Sequence, residues 1–181
     1  MHDRLRVFAL GALLVVVALG VGSTLPARAA APATDADLLR QLRDRVEIEA
    51  LMWHYVRALD SLDENAYADA YTADGSFGSG ARAAKGREAL KKVITDVKHT
   101  RAEREAKGGP KSPHMYHVIN NSYLEFTDRD HARLQSYWMT VFAAADANSQ
   151  PRVAAVGRSI DELVRTDGHW LIRSRDVAPQ D

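Results

Sequence analysis

The sequence predicts an α+β domain, and three observations carry that prediction. One apolar stripe repeats at the helical period early in the chain. The second half is rich in Tyr, Val, Ile, Trp and Phe and is interrupted by turn signals. The two kinds of segment are segregated, helices first and an antiparallel meander after, which places helices on one face of a curved sheet.

Met1 to Ala29 reads as a signal peptide. Arg4 and Arg6 form a basic start, Val7 to Val21 is apolar apart from glycine, and Ala27-Arg28-Ala29 is a small-x-small cleavage site. The alternative is a membrane anchor. A span needs about 20 apolar residues, and this run breaks at Gly22-Ser23-Thr24 and Pro26. Export to the periplasm or beyond, with no membrane association after cleavage, is the expectation. Residues 30–36 read as a flexible lead-in and residues 37–178 as the domain.

The helical stripe comprises Ile48, Leu51, Met52, Tyr55, Val56 and Leu59, spaced i, i+3, i+4, i+7, i+8 and i+11. Asp63 is placed to cap a short second helix carrying Tyr67, Ala70 and Tyr71. Asp74-Gly75-Ser76 reads as a turn into a strand near Phe77. A third helix is expected from Gly86 to about Glu105, with Leu90, Val93, Ile94 and Val97 as its apolar face. Lys107 to Pro113 is a loop by composition, either a lid or a plain connector. Strands are expected over 114–126, 132–143, 153–165 and 170–177. Thr127 to Asp130 turns the first pair, and the Asp167-Gly168 dipeptide turns the second.

Composition removes several function classes. The chain has 181 residues with 24 basic and 24 acidic side chains, and without Met1 to Ala29 it has 21 against 23. That balance leaves no electrostatic footprint for nucleic acid. With no cysteine, disulfides and thiolate metal sites are excluded, so the core alone must hold the fold. No glycine-rich phosphate loop follows a strand, no serine occupies a nucleophile elbow, and His114 and His117 do not share a strand face as metal ligands would.

Two residues suit acid–base chemistry. Asp60 continues the i, i+3, i+7 series of Trp53 and Val56, so its carboxylate is carried toward the apolar face. Such a charge needs a partner or a wet cavity. The bland alternative is that it caps the Ser61-Leu62 bend. In an extended strand Met115, His117, Ile119, Asn121 and Tyr123 share one face, a half-polar set fit for a pocket wall. A helix-borne Asp beside a strand-borne His can fix the imidazole tautomer and let the ring act as a general base. Trp53, Tyr55, Tyr71, Tyr116 and Trp138 are candidates for pocket wall or core.

Several segments, in this order, resemble the SnoaL-like family of nuclear-transport-factor-two-like domains, in particular those of the scytalone dehydratase and lindane dehydrochlorinase type. They are Asp44 to Leu51, Tyr55 to Asp63, Tyr71 to Gly75, Gly86 to Leu90, the His117-x-x-x-Asn121 pair, Gly157 to Arg165 and Asp167 to Arg175. The resemblance covers about Asp37 to Val177. It implies a cone-shaped α+β barrel, a strongly curved antiparallel sheet wrapped around three helices and enclosing a pocket. It also implies an Asp–His pair at Asp60 and His117, and an arginine near Arg175 that aids departure of a leaving group. In the dehydratase a second active-site histidine stands where this chain has Thr140-Val141-Phe142-Ala143, and a tyrosine stands at Leu59, so scytalone is not the expected substrate.

The resulting expectation is a cofactor-independent lyase or isomerase for a small, partly apolar molecule. Asp60 and His117 would be catalytic, and Asn121, Arg175, Tyr55 and Trp138 would bind substrate. The alternatives are a non-catalytic ligand-binding protein and a structural subunit paired through its sheet face. No metal and no nucleic acid are expected, and a homo-oligomer, dimer or trimer, is.

Overall fold

The computed structural model describes residues 34–179; the expected signal peptide, its cleavage site and the start of the lead-in lie outside the described residues. Helix α1 spans Asp35–Ser61. It starts two residues before the expected Asp37 because Thr34 and Asp37 form a reciprocal capping box, which satisfies two otherwise unpaired backbone donors. It ends at Leu62, whose left-handed backbone (φ 56°) turns the chain. Asp63 then caps α2, Glu64–Asp69, accepting from the N–H groups of Asn65 and Ala66. Tyr71, expected on this helix, instead opens strand β1, Tyr71–Phe77. The expected turn at Asp74-Gly75-Ser76 is an irregularity within that strand. A short strand β2, Ala84–Lys85, precedes helix α3, Arg87–Ala106.

The meander follows as β3 Met115–Phe126, β4 His131–Phe142, β5 Arg152–Thr166 and β6 His169–Asp176. Asp167 (φ 51°) and Gly168 (φ 85°) both take positive φ in the tight β5–β6 turn, as a two-residue hairpin turn demands. The sheet has the order β2-β1-β6-β5-β4-β3 and is curved and open, with β2 and β3 at its edges. It is mixed rather than wholly antiparallel, because β1 pairs parallel to β6. Periodicity identifies a strand but not its partner. Here the N-terminal strand docks beside the C-terminal one, and Ile172 donates its N–H to the carbonyl of Ala70.

The core lies between α1–α2–α3 and the concave face of the sheet. Ile48, Met52, Tyr67, Leu90 and Ile94 meet Leu134, Leu163, Trp170 and Ile172 there. Two bulges decide which side chains reach it. In β3 the register shifts between Asn120 and Tyr123, so Met115, His117 and Ile119 share the inner face with Leu124 and Phe126. Across β5–β6 it shifts between Glu162 and Leu163, so Trp170, Ile172 and Arg175 are all buried although their numbering parity differs.

Candidate active site

Asp60 occupies the last turn of α1, and His117 lies near the start of β3. Because β3 is an edge strand, its outward backbone donors need partners other than a strand. Asp60 Oδ1 supplies one, accepting the His117 backbone N–H at 2.9 Å. The same oxygen meets His117 Nδ1 at 2.8 Å. The two side chains keep 10 % and 17 % of their exposure, so the pair is shielded yet not sealed. An ionised carboxylate only accepts, so Nδ1 carries the proton and Nε2 of the neutral ring keeps a free lone pair.

His117 also lines a cavity of about 420 Å³ between α1 and β3. Ile48, Met52 and Val56 of α1 form one wall, and Ile119, Leu124 and Leu134 the other. Arg45, Glu49, Trp53, Val118 and Ser122 complete it. The arrangement is that of an acid–base group at the wall of a mostly apolar hollow, the usual setting for small-ligand chemistry. His114, by contrast, is exposed.

The other expected site residues do not join this cavity. Asn121 takes φ 49° in the β3 bulge and is exposed, because the extra residue ends the two-residue alternation that would have aligned it with His117. Trp138 lies over Gly157 and donates from Nε1 to the carbonyls of Arg158 (3.2 Å) and Val177 (3.1 Å). A Cβ at Gly157 would stand 2.6 Å from the Trp138 ring, so only glycine allows that approach. Tyr55 and Arg175 belong to a separate buried cluster. The Arg175 guanidinium lies 4.7 Å from the centre of the Tyr55 ring and is ion-paired with Asp161. Tyr67 and Tyr71 share a hydroxyl–hydroxyl bond of 3.2 Å beside them.

Electrostatics in that cluster follow from burial. Asp161 is pushed up to about 6 by loss of solvent, against the pull of Arg175. Burial opposes the charge on Arg175, but Tyr55, Asp161 and Tyr71 outweigh it and hold the guanidinium above its ordinary value. Burial likewise raises the Tyr55, Tyr67 and Tyr71 phenols.

Arg45, Glu49 and Ser122 were not singled out from sequence. Arg45 and Glu49 continue the Met52–Val56 edge of α1 at i, i+4, i+7 and i+11, a signal available in the pattern. Ser122 reaches the cavity only through the bulge. Among the described residues no group of three or more potential metal ligands converges, and no helix is long and apolar enough to cross a membrane.

The sequence profile of the SnoaL-like domain matches residues 40–176, essentially the whole described fold. The chain belongs to the SnoaL-like family. Solved structures agree on the architecture. An NTF2-like protein with a cystatin-like fold from Novosphingobium aromaticivorans is 23 % identical, with 83 % of this chain and 93 % of that one covered at a TM-score of 0.63. A proposed scytalone dehydratase from the same organism is 20 % identical over 77 % and 86 %, with a TM-score of 0.59. A protein from Catenulispora acidiphila, solved in complex with S-DNPA, is 23 % identical over 76 % and 94 %, with a TM-score of 0.61. At these identities the likeness of this SnoaL-like chain to them is one of fold. No curated protein matches it in sequence.

Proposed function

We propose that this SnoaL-like protein is an exported lyase or isomerase using His117 as general base and Asp60 as the group that orients it. The observation that carries the reading is the 2.8 Å contact of His117 Nδ1 with Asp60 at the wall of an apolar cavity. His117 Nε2 takes a proton from substrate, and the electron pair of the broken bond becomes a new π bond. A neighbouring group then leaves with its bonding pair; in an isomerisation the imidazolium instead returns the proton at the far end of the π system. Asp60 stabilises the imidazolium while it lasts. The reaction requires only positioned groups and a dry wall.

Exchange of substrate hydrogens with deuterated water tests the step, run over small cyclic ketones, alcohols and halides. Wild type is expected to catalyse exchange or elimination on at least one class, and His117→Gln to abolish it. Turnover unchanged in both His117→Gln and Asp60→Asn sinks the mechanism. A non-catalytic binding role is the second reading, favoured because the oxygen that orients the ring also fastens the edge strand to α1; it predicts ligand binding with no exchange.

Export rests on the leader composition described above, and the mass of the protein recovered from the periplasm or medium tests it, with Ala30 as the expected first residue. Self-association through the sheet is supported by the exposed Tyr116, Val118, Tyr137 and Val156 on its outer face. Sedimentation of the wild type against Tyr137→Glu tests that part.

A further inference from the structure

The cavity beside His117 is a slot, and its far end carries an unused cation. Along α1 its lining runs from Arg45 to Val56, eleven positions and so about 16 Å of helix. A sphere of its volume, about 420 Å³, would be only about 9 Å across. Strand β3 forms the opposite wall in the reverse direction, from His117 at the Asp60 end to Leu124 at the Arg45 end. The middle is hydrocarbon: Met52, Val56, Ile119 and Leu134.

Arg45 is the arginine that lines this cavity, and it is not tied up as two of its neighbours are. Arg40 and Arg165 are both held by Asp44, and Arg165 also reaches Glu47. The Arg45 guanidinium has no hydrogen bond or ion pair among the described residues, although Glu49 follows at the i, i+4 spacing that pairs charges on a helix. Arg45 and Leu124 also border a second hollow, so this end of the slot opens to solvent. Glu49, one turn nearer His117, repels an anion placed deeper. An anionic group is therefore admitted at the Arg45 end and refused further in.

Taking the Asp60–His117 cavity as the substrate site, we infer that it selects an elongated, largely apolar acid, with its anionic group on Arg45 and its reacting carbon about 12 to 16 Å away at His117. A carboxylate matches the guanidinium fork with two parallel hydrogen bonds. The hydrocarbon between fills the slot and covers the exposed Trp53 ring at its rim.

Calorimetric titration with straight-chain carboxylates of about 4 to about 14 carbons, against their primary amides, tests this. Affinity is expected to rise about fourfold per methylene until the slot is full, near ten to twelve carbons. Carboxylates are expected to bind about tenfold or more tightly than amides. Arg45→Gln should erase the carboxylate preference and keep the length dependence, while Arg43→Gln, at an exposed arginine of α1 outside the cavity lining, should leave both intact. A length dependence that stops near six carbons overturns the inference. So does a carboxylate preference that survives Arg45→Gln or vanishes in Arg43→Gln. Binding is read here without turnover, so failure leaves the proposed proton transfer to its own test.

Discussion

Two of the partnered polar pairs in this fold differ in what their remaining atoms can reach. Asp60 and His117 join a helix end to an edge strand beside a cavity, and one ring nitrogen remains uncommitted. Asp161 and Arg175 join neighbouring strands at 0 % and 2 % exposure under three tyrosines, outside the lining of the His117 cavity, and Asp161 Oδ1 and Arg175 Nε, which have no hydrogen-bond partner among the described residues, are buried with them. On the proposed function, the first pair takes up a proton and gives it back to something that enters. The second can only hold its place. Chemical type does not separate them, since each has a carboxylate and a cationic or potentially cationic partner. Access does.

Substitution should sharpen that contrast. The largest effect is expected at His117. His117→Gln should lower kcat by about 10²- to 10⁴-fold on any substrate the wild type turns over, with the thermal midpoint little changed. If activity holds and the midpoint drops, the pair is structural. Asp60→Asn should lower both, because it loses the ring and the edge-strand N–H together.

Arg175→Met should do the opposite, costing about 3–5 kcal/mol of stability by leaving a buried carboxylate unpaired, with kcat per folded molecule retained. Chemical denaturation measures the first and active-site titration the second. Loss of kcat in the folded fraction would join the two regions that the structure separates. The double change Asp161→Asn with Arg175→Met should recover much of the lost stability.

Asp161 also sets a pH dependence. Its folded value near 6 lies above the unfolded carboxyl value, so folding favours the protonated form. That contribution is complete below about pH 4 and is lost as the pH rises through about 6. The stability of wild type relative to Asp161→Asn should therefore fall between pH 4 and pH 7, as urea midpoints across that range would show. A difference that is flat or rising contradicts the burial argument.

Smaller effects are expected away from both pairs. Gly157→Ala should cost about 1–3 kcal/mol by driving a Cβ into the Trp138 ring. Thr34→Ala should cost about 1 kcal/mol through loss of the α1 cap. Both are readable as shifts in thermal midpoint.

The amino-acid sequence alone determined the three helices, the four strands of the meander and their order, though not β2 or the start of β1 at Tyr71. The stripe from Ile48 to Leu59 could only be a half-buried helix, Asp63 could cap α2 from its position, and Asp167-Gly168 could supply the positive φ angles of a hairpin. Those are local properties, settled by residues within a few positions of one another. Asp60 stood out for the same reason, as a charge at an apolar helix position. What lies across the sheet was decided elsewhere. The parallel docking of β1 on β6, the inward turn of Arg175 and the outward turn of Asn121 all depend on pairings and bulges that insert one residue and reverse every side chain after it. A two-residue period cannot announce its own interruption. Only the folded sheet, with each strand held in register by its neighbour, shows which arginine is buried and which histidine faces the hollow.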